Sequence, residues 1–588
     1  MTADWNFESL NGDFNVERMF IEESFDNFVL KWKGNRKYLE SFEKLKEALD
    51  ELGMLENNFN RAKNEEYYYW LKQELDNNDK EIRRKFMNVE EFLIKQYNKI
   101  LFFKIELSKI DQQKQDEFLK CNELKEYRNY LNEIFQNAKY LLTEPEEKIL
   151  SLKQQGSCDM WVKMVESLLL GETRKIKTEN GKESERTYPE LLTIMTSKNK
   201  KIRNQARDAF EDILKKYEDV AEVELNAFLE DAKVSDELRG FVRPDESRIK
   251  GDLIDDDFID SILSSVKENL DISSRYYSLL AKIIGQENIG YHERNVDISN
   301  KSKKYDYEEA IKILKKVFNS LDKEFLEIFE KTLEKNRIDS HPKKGKNGGA
   351  FCVHFRNIDP HFILLNYTNE LLDVTTFAHE MGHLINHTLM SKENPLNYGN
   401  TKATAEVASV FMEDFIFEEI LKDCNDEEKF QLLFKKVGGD IATIHRQISL
   451  YLFELEIHKK YREEGYLSKE KIGKIFITHM RNYMGNSVDM TNSNLWWIYW
   501  EHIRLKFYVY SYASGALISK TMQKEYRRNH SFMEKIKEFL ATGKSKSPRE
   551  IFEDMGIKIN KEFFDKGILS IREDLTTVEE LAKKLKKI

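Results

Sequence analysis

Apolar residues recur every three to four positions along most of this chain, with charged residues between them. That period predicts amphipathic helices rather than strands. The pattern is most regular between about Asn15 and Thr143. Phe28-Val29-Leu30 and Trp32 come first, then Leu45, Leu49 and Leu52, then Phe92-Leu93, Tyr97 and Leu101. Such spacing predicts long helices bundled against one another. The aromatic run Tyr67-Tyr68-Tyr69-Trp70 reads as part of the core of that bundle.

Two stretches break the helical period. From Gly171 to Pro189, Thr173–Thr178 and Ser184–Thr187 flank Asn180-Gly181, which predicts a β-hairpin turning at Asn-Gly. Helices resume from Pro189, with one or two over Asn199–Ala232. A division near residue 190 is therefore expected, with 1–190 as an N-terminal helical lobe and 191–588 as the catalytic remainder. The second break runs from His341 to Leu365. Lys343-Lys344-Gly345-Lys346-Asn347-Gly348-Gly349 reads as a flexible basic loop, followed by candidate strands over Ala350–Phe355 and Phe362–Tyr367. A small sheet is expected just before the next helix.

Composition narrows the class. The chain has 588 residues, 34% charged, with only 7 Pro and 24 Gly, which fits a mainly helical protein. The net charge of −10 is spread through interspersed acids and bases, so no nucleic-acid footprint is expected. Cys121, Cys158, Cys352 and Cys424 form no paired motif, which favours a reducing compartment. The N-terminal residues lack a basic start and an apolar stretch, so no secretory signal is expected. No apolar run approaches the ~18–20 residues a membrane span needs. The expectation is a cytoplasmic protein without membrane or nucleic-acid partners.

The chemistry concentrates in His379-Glu380-Met381-Gly382-His383. Two imidazoles four residues apart on a helix can grip one divalent metal, and the adjacent carboxylate can handle the protons of a water. Asp373 is expected to cap this helix, and the apolar run Val374–Met390 to bury it. A third ligand must lie downstream. A three-histidine arrangement fails because position 389 is Leu. Glu406 fits instead, in the apolar segment Lys402–Phe411 with Ala403, Ala405 and Ala408 allowing close approach. Glu413, on the same face, is a candidate to orient a histidine ligand or to form an interhelix ion pair. His387 is assigned to packing. The ligand types favour one Zn²⁺ per chain, although manganese or cobalt could take the same set.

With these residues in place, the chain resembles the thimet oligopeptidase family, and within it the bacterial oligoendopeptidase F group. Gly348-Gly349-Ala350-Phe351-Cys352 resembles that family's substrate-binding edge strand. Asp373–Ala378 resembles its lead-in to the zinc helix, and Phe507–Gly515 its tyrosine-rich segment. The resemblance implies an ellipsoidal, two-lobed helical zinc metallopeptidase with a deep substrate channel and a small sheet beside the HExxH helix. It implies a metalloendopeptidase cleaving short oligopeptides, with Glu380 as general base and acid. It points to His502 and to tyrosines about ten residues later as oxyanion donors; among Tyr508, Tyr510 and Tyr512 the first choice is Tyr512, with Tyr508, Gly348, Gly349 and Ala350 as substrate contacts. Tyr508 and Tyr512 are expected one helical turn apart on a shared face, with Tyr510 pointing elsewhere.

Other readings remain open at this stage. An aminopeptidase would carry a Gly-x-Met-Glu-Asn motif, and none is present. A carboxypeptidase would need a cationic clamp, for which Arg504 or Lys506 could serve. A non-catalytic peptide-binding scaffold with a structural metal would have no use for Glu380.

Overall fold

Helix starts follow the short polar side chains that the sequence supplies. Asp13 accepts from the N–H groups of Asn15 and Val16 and opens the helix Phe14–Trp32. Asp79 does the same for Lys80–Ser108, and Asn199 for Lys200–Lys216. In the computed structural model, which describes residues 4–62, 64–177, 181–299, 303–353 and 361–588, helices dominate. The sheets among the described residues have two or three strands each. The contacts separate two compact units, neither continuous in sequence.

One unit comprises Met1–Lys148, Lys303–Lys422 and Met522–Lys558. Its N-terminal helices form a core around Phe25, Phe28, Trp32, Leu45, Leu49, Phe102, Phe103 and Leu131. Phe28, Trp32, Leu45 and Leu49 are positions the helical period singles out, whereas Leu30 from the same run is exposed. The aromatic run belongs to a second, smaller core. Tyr67, Tyr68 and Trp70 pack there against Trp5, Val353, Phe362 and Leu364, and the Trp5 indole donates to the Ile363 carbonyl at 2.9 Å.

That second core rests on a three-stranded sheet. Ile338–Asp339 runs parallel to Phe362–Leu364, and Phe351–Val353 pairs antiparallel on its other side, Cys352 opposite Ile363. The strand expected over 350–355 is thus observed as Phe351–Val353, with His354 and Phe355 outside the described residues. The sheet order puts Phe351–Val353 at an edge.

The loop leading to that edge differs from its basic, flexible appearance in sequence. The Lys346 side chain is fully buried. It donates to the Asp339 carboxylate at 2.6 Å and to the carbonyls of Leu365 and His341 at 2.6 and 2.8 Å. Asn347 is tied to Glu74 through both backbone and side chain, and Asn366 donates to the carbonyls of Asn347 and Gly349. Asp339, itself buried, explains the difference: an acid there needs a cation, and both Lys346 and Lys343 reach it, Lys343 at 2.8 Å.

The other unit comprises Ile149–Ser302, Asp423–Thr521 and Ile559–Ile588. It holds the hairpin, with Thr173–Lys177 antiparallel to Glu183–Thr187. Gly181 has φ 73°, while Asn180 lies outside the described residues. The stretch Asn199–Ala232 resolves into two helices, Lys200–Lys216 and Glu218–Arg239, the second ended by Gly240 in the left-handed region. Arg504 is fully inside this unit and forks onto Glu224 at 3.1 and 2.9 Å.

Replacing Lys346 by Met should remove the cation from a buried pair and cost about 3 kcal/mol. Denaturant unfolding measures this, and a midpoint equal to wild type would mean the loop is not anchored as described.

Candidate active site

The motif helix spans Leu371–Met390. Its N-cap is Glu370, one turn earlier than expected, and Asp373 acts from the third helical position instead. The Asp373 carboxylate reaches back to accept the N–H of Glu370 at 2.9 Å and that of Thr368 at 2.7 Å. Phe377, Met381, Leu384, Ile385 and Leu389 bury the helix. His387 is buried near Tyr398, as its assignment to packing requires.

Glu406 sits differently from its expected place inside a helix. Residues 402–406 form turns, and Glu406 is the residue before the helix Val407–Leu421. Ser409, one turn on, donates its hydroxyl to the Glu406 carboxylate at 3.0 Å and fixes its direction.

Gly382 decides how close these two helices come. A Cβ there would lie 2.6 Å from the Ala408 carbonyl oxygen and 2.6 Å from the Ser409 Cα. The small residues that sequence reasoning chose for close approach were alanines on the second helix; the position that needs smallness is the glycine inside the motif. Its signal was present, since a glycine in a helix interior costs stability and calls for a packing reason.

The result is a compact set of donors. Nε2 of His379 lies 3.4 Å from Glu406 Oε2, and Nε2 of His383 lies 3.5 Å from the same oxygen. One donor atom from each of the three residues falls within 4.8 Å of the others. The two rings stand nearly perpendicular, with centroids 5.0 Å apart. Nδ1 of His379 faces the Glu413 carboxylate at 3.3 Å, so the outer nitrogen is held while the inner one converges. Two imidazoles and one carboxylate suit a divalent cation of borderline softness, and three protein ligands leave a coordination position open.

On their own, the acidic and basic groups compensate one another. Burial would raise the Glu406 carboxyl, but hydrogen bonds with His379 and His383 hold it well below the usual range. Burial would lower His379, but Glu406 and Glu413 push it well above its ordinary value. Glu380 is 5% exposed. Its burial raises the carboxyl, His379 and His383 oppose the rise, and a backbone hydrogen bond with Cys352 lowers it further. The edge strand packs against the motif helix, a link that the sequence did not reveal.

The glycine segment is exposed at Gly348 and Gly349, and a Cβ at Gly348 would meet no atom within 4 Å. Gly349 donates its N–H to the Asn347 side chain.

In the other unit, His502, Tyr508 and Tyr512 come together. The Tyr512 hydroxyl lies 3.2 Å from His502 Nε2. The Tyr508 ring lies parallel to His502 at 6.0 Å and edge-on to Tyr512 at 5.4 Å. The helix begins only at Tyr510, so Tyr508 meets Tyr512 from a preceding turn rather than along a helix face. Tyr510 points away and donates to Asp252 at 2.7 Å.

The comparisons with known proteins agree with one another. Residues 193–567 match the sequence model of peptidase family M3, and residues 106–164 match the model described as oligopeptidase F. The chain is 27% identical to an oligoendopeptidase F homolog of Borreliella burgdorferi, over 94% of this chain and 95% of that protein. It is 24% identical to oligopeptidase PepF of Bacillus subtilis, over 82% of this chain and 73% of that protein. The fold matches the crystal structure of oligoendopeptidase-F from Enterococcus faecium with a TM-score of 0.74, at 16% identity, covering 97% of this chain and 99% of that one.

Substituting Ala for Gly382 should force the two helices apart. Equilibrium dialysis should then find weaker metal retention than in wild type, and unfolding a loss of about 1–3 kcal/mol. Metal retention equal to wild type would separate the close approach from the ligand geometry.

Proposed function

Because the chain belongs to peptidase family M3 and is a peptidase, we propose that it is a zinc-dependent metalloendopeptidase that hydrolyses internal bonds of short oligopeptides. The observation that carries this reading is the convergence of His379, His383 and Glu406 beside the buried Glu380. We assign His379, His383 and Glu406 as ligands of one Zn²⁺, with Glu413 orienting His379. When bound, the cation supplies a Lewis acid that polarises the peptide carbonyl and makes water more acidic.

The side chains account for the rest. Glu380, adjacent to the ligands but not one of them, takes a proton from the attacking water and passes it to the leaving amine. Its burial favours this role, because a carboxylate kept from bulk solvent exchanges its proton with the groups beside it. The oxyanion that forms on carbonyl attack needs neutral donors. Tyr512, supported by His502 within hydrogen-bond distance, is our assignment for that role, and Tyr508 for substrate contact.

The edge position of Phe351–Val353 supports a substrate held as an added strand, with Gly348, Gly349 and Ala350 leaving room for its backbone. Main-chain pairing gives affinity with little side-chain preference, so broad specificity is expected. We further propose that residues 191–588 carry the catalytic machinery and 1–190 form a helical N-terminal lobe, supported by the match over 193–567. No described helix is long and apolar enough to cross a membrane. None of the four cysteines is in a disulfide, which supports our proposal of a cytoplasmic location.

A carboxypeptidase reading loses one of its two candidate clamps, since Arg504 is 7% exposed and engaged by Glu224. Internally quenched peptides blocked at both ends separate the two activities, because an endopeptidase alone cleaves them. Chelation should abolish that cleavage and zinc restore it. Glu380→Gln should retain the metal and lower kcat by at least about 10²–10⁴-fold; near wild-type hydrolysis with metal bound would sink the mechanism.

A further inference from the structure

The backbone between His502 and Tyr512 contains an unusual turn. Lys506 has φ 46° and Phe507 has φ 58°. Two consecutive residues with side chains in the left-handed region are sterically unfavourable, and persist only where the surroundings hold them. This turn has to place a histidine ahead of it against a tyrosine five residues beyond it.

The surroundings supply the hold through two residues distant in sequence. Arg248 donates Nε to the Lys506 carbonyl at 2.9 Å and Nη2 to the Leu505 carbonyl at 2.8 Å. On the other side, the Phe507 N–H donates to the Glu454 carboxyl at 2.8 Å. The Phe507 ring is buried against Tyr451 and His458, centroids 5.2 and 4.9 Å apart, on the same helix as Glu454, Gln447–Glu464. The shoulders are anchored separately. Arg504 donates to the carbonyls of Trp497 and Trp500, and Tyr510 donates to Asp252.

Glu454 is the telling group. It is 0% exposed, and its other oxygen, Oε1, has no hydrogen-bond partner. Burial pushes its carboxyl well above the ordinary value, while the Phe507 N–H and the nearby Arg248 and Arg504 oppose the rise. A buried acid is costly, and its one hydrogen bond goes to the left-handed residue of the turn. The guanidinium of Arg248 likewise spends two donors on carbonyls of the same turn.

We propose that Arg248 and Glu454 are positioning residues for the oxyanion donors: they clamp the turn Leu505–Phe507 in its left-handed shape and thereby set His502 against Tyr512. This rests on the assignment of Tyr512 as donor. Neither residue touches substrate; each acts through the turn.

The test compares Arg248→Met, Glu454→Leu, Glu454→Gln and Tyr512→Phe, and the double variant Arg248→Met/Tyr512→Phe. The readouts are kcat and KM on a blocked quenched peptide, with thermal unfolding of each protein. Arg248→Met and Glu454→Leu should lower kcat about 10–100-fold, the loss expected from misplacing a catalytic group by about 1 Å, with little change in KM. Glu454→Gln keeps an acceptor for the Phe507 N–H and should retain most of the activity. In the Tyr512→Phe background, Arg248→Met should cost no further kcat, because the group it positions is gone. A merely structural role predicts losses that multiply and a Gln variant no better than Leu, and either result overturns the proposal. If Arg248→Met does not fold, the Gln and Leu variants at 454 decide. An impaired Tyr512→Phe beside a fully active Arg248→Met refutes the clamp alone. A fully active Tyr512→Phe refutes the donor assignment, and the clamp with it.

Discussion

The metal centre depends on one close approach. The helices Leu371–Met390 and Val407–Leu421 come together at Gly382, where there is no room for a Cβ. The contact brings the Glu406 carboxylate, at the mouth of the second helix, within 3.5 Å of both imidazoles of the first. Each of these groups would be costly to bury alone. Placed together they offset one another's charge, and they present inward the atoms a divalent cation requires. The arrangement is fixed at both ends: Ser409 directs Glu406 from behind, and Glu413 holds the far nitrogen of His379. The motif pentapeptide thus contains its own packing instruction, with the glycine as necessary to the geometry as the histidines.

A similar logic extends outward to the sheet. The edge strand packs against the motif helix, and the Cys352 backbone favours the charged form of Glu380. That strand is positioned by the loop whose Lys346 is buried against Asp339. Trp5 and Trp70 close the other side through their contacts with Phe351 and Phe362. The N-terminal residues therefore support the strand that packs against the motif helix, although nothing in their own sequence suggests a part in chemistry.

The sequence made the local features legible and left the non-local ones obscure. Helical period, the hairpin and the two short strands depend on neighbours a few residues away, and all were readable. The grouping of His379, His383 and Glu406 was readable because a metal-binding set restricts residue type and spacing. Asp373 was placed three positions off its true role, since an acid near a helix start can serve as cap or reach back from the third position, and only the backbone distinguishes these. The loop at 343–349 looked solvated because composition cannot tell that Asp339 is buried nearby. Lys506 and Phe507 carry no sequence sign of positive φ, which arises from partners more than fifty residues away at Glu454 and Arg248.

The interleaving of the two units carries a consequence for biosynthesis. The unit that holds His379, His383 and Glu406 is assembled from Met1–Lys148, Lys303–Lys422 and Met522–Lys558. Asn386 on the motif helix donates to the Leu540 carbonyl, 154 residues further on, so this helix gains neighbours made well after it. At elongation rates of about 5–20 residues per second, Lys558 follows Lys148 by roughly 20–80 s. During that interval the nascent chain must keep the unfinished flank of its first segment from aggregating. His379, His383 and Glu406 are separated by fewer than thirty residues and emerge almost together, but the rest of their unit comes from segments made long before and long after them.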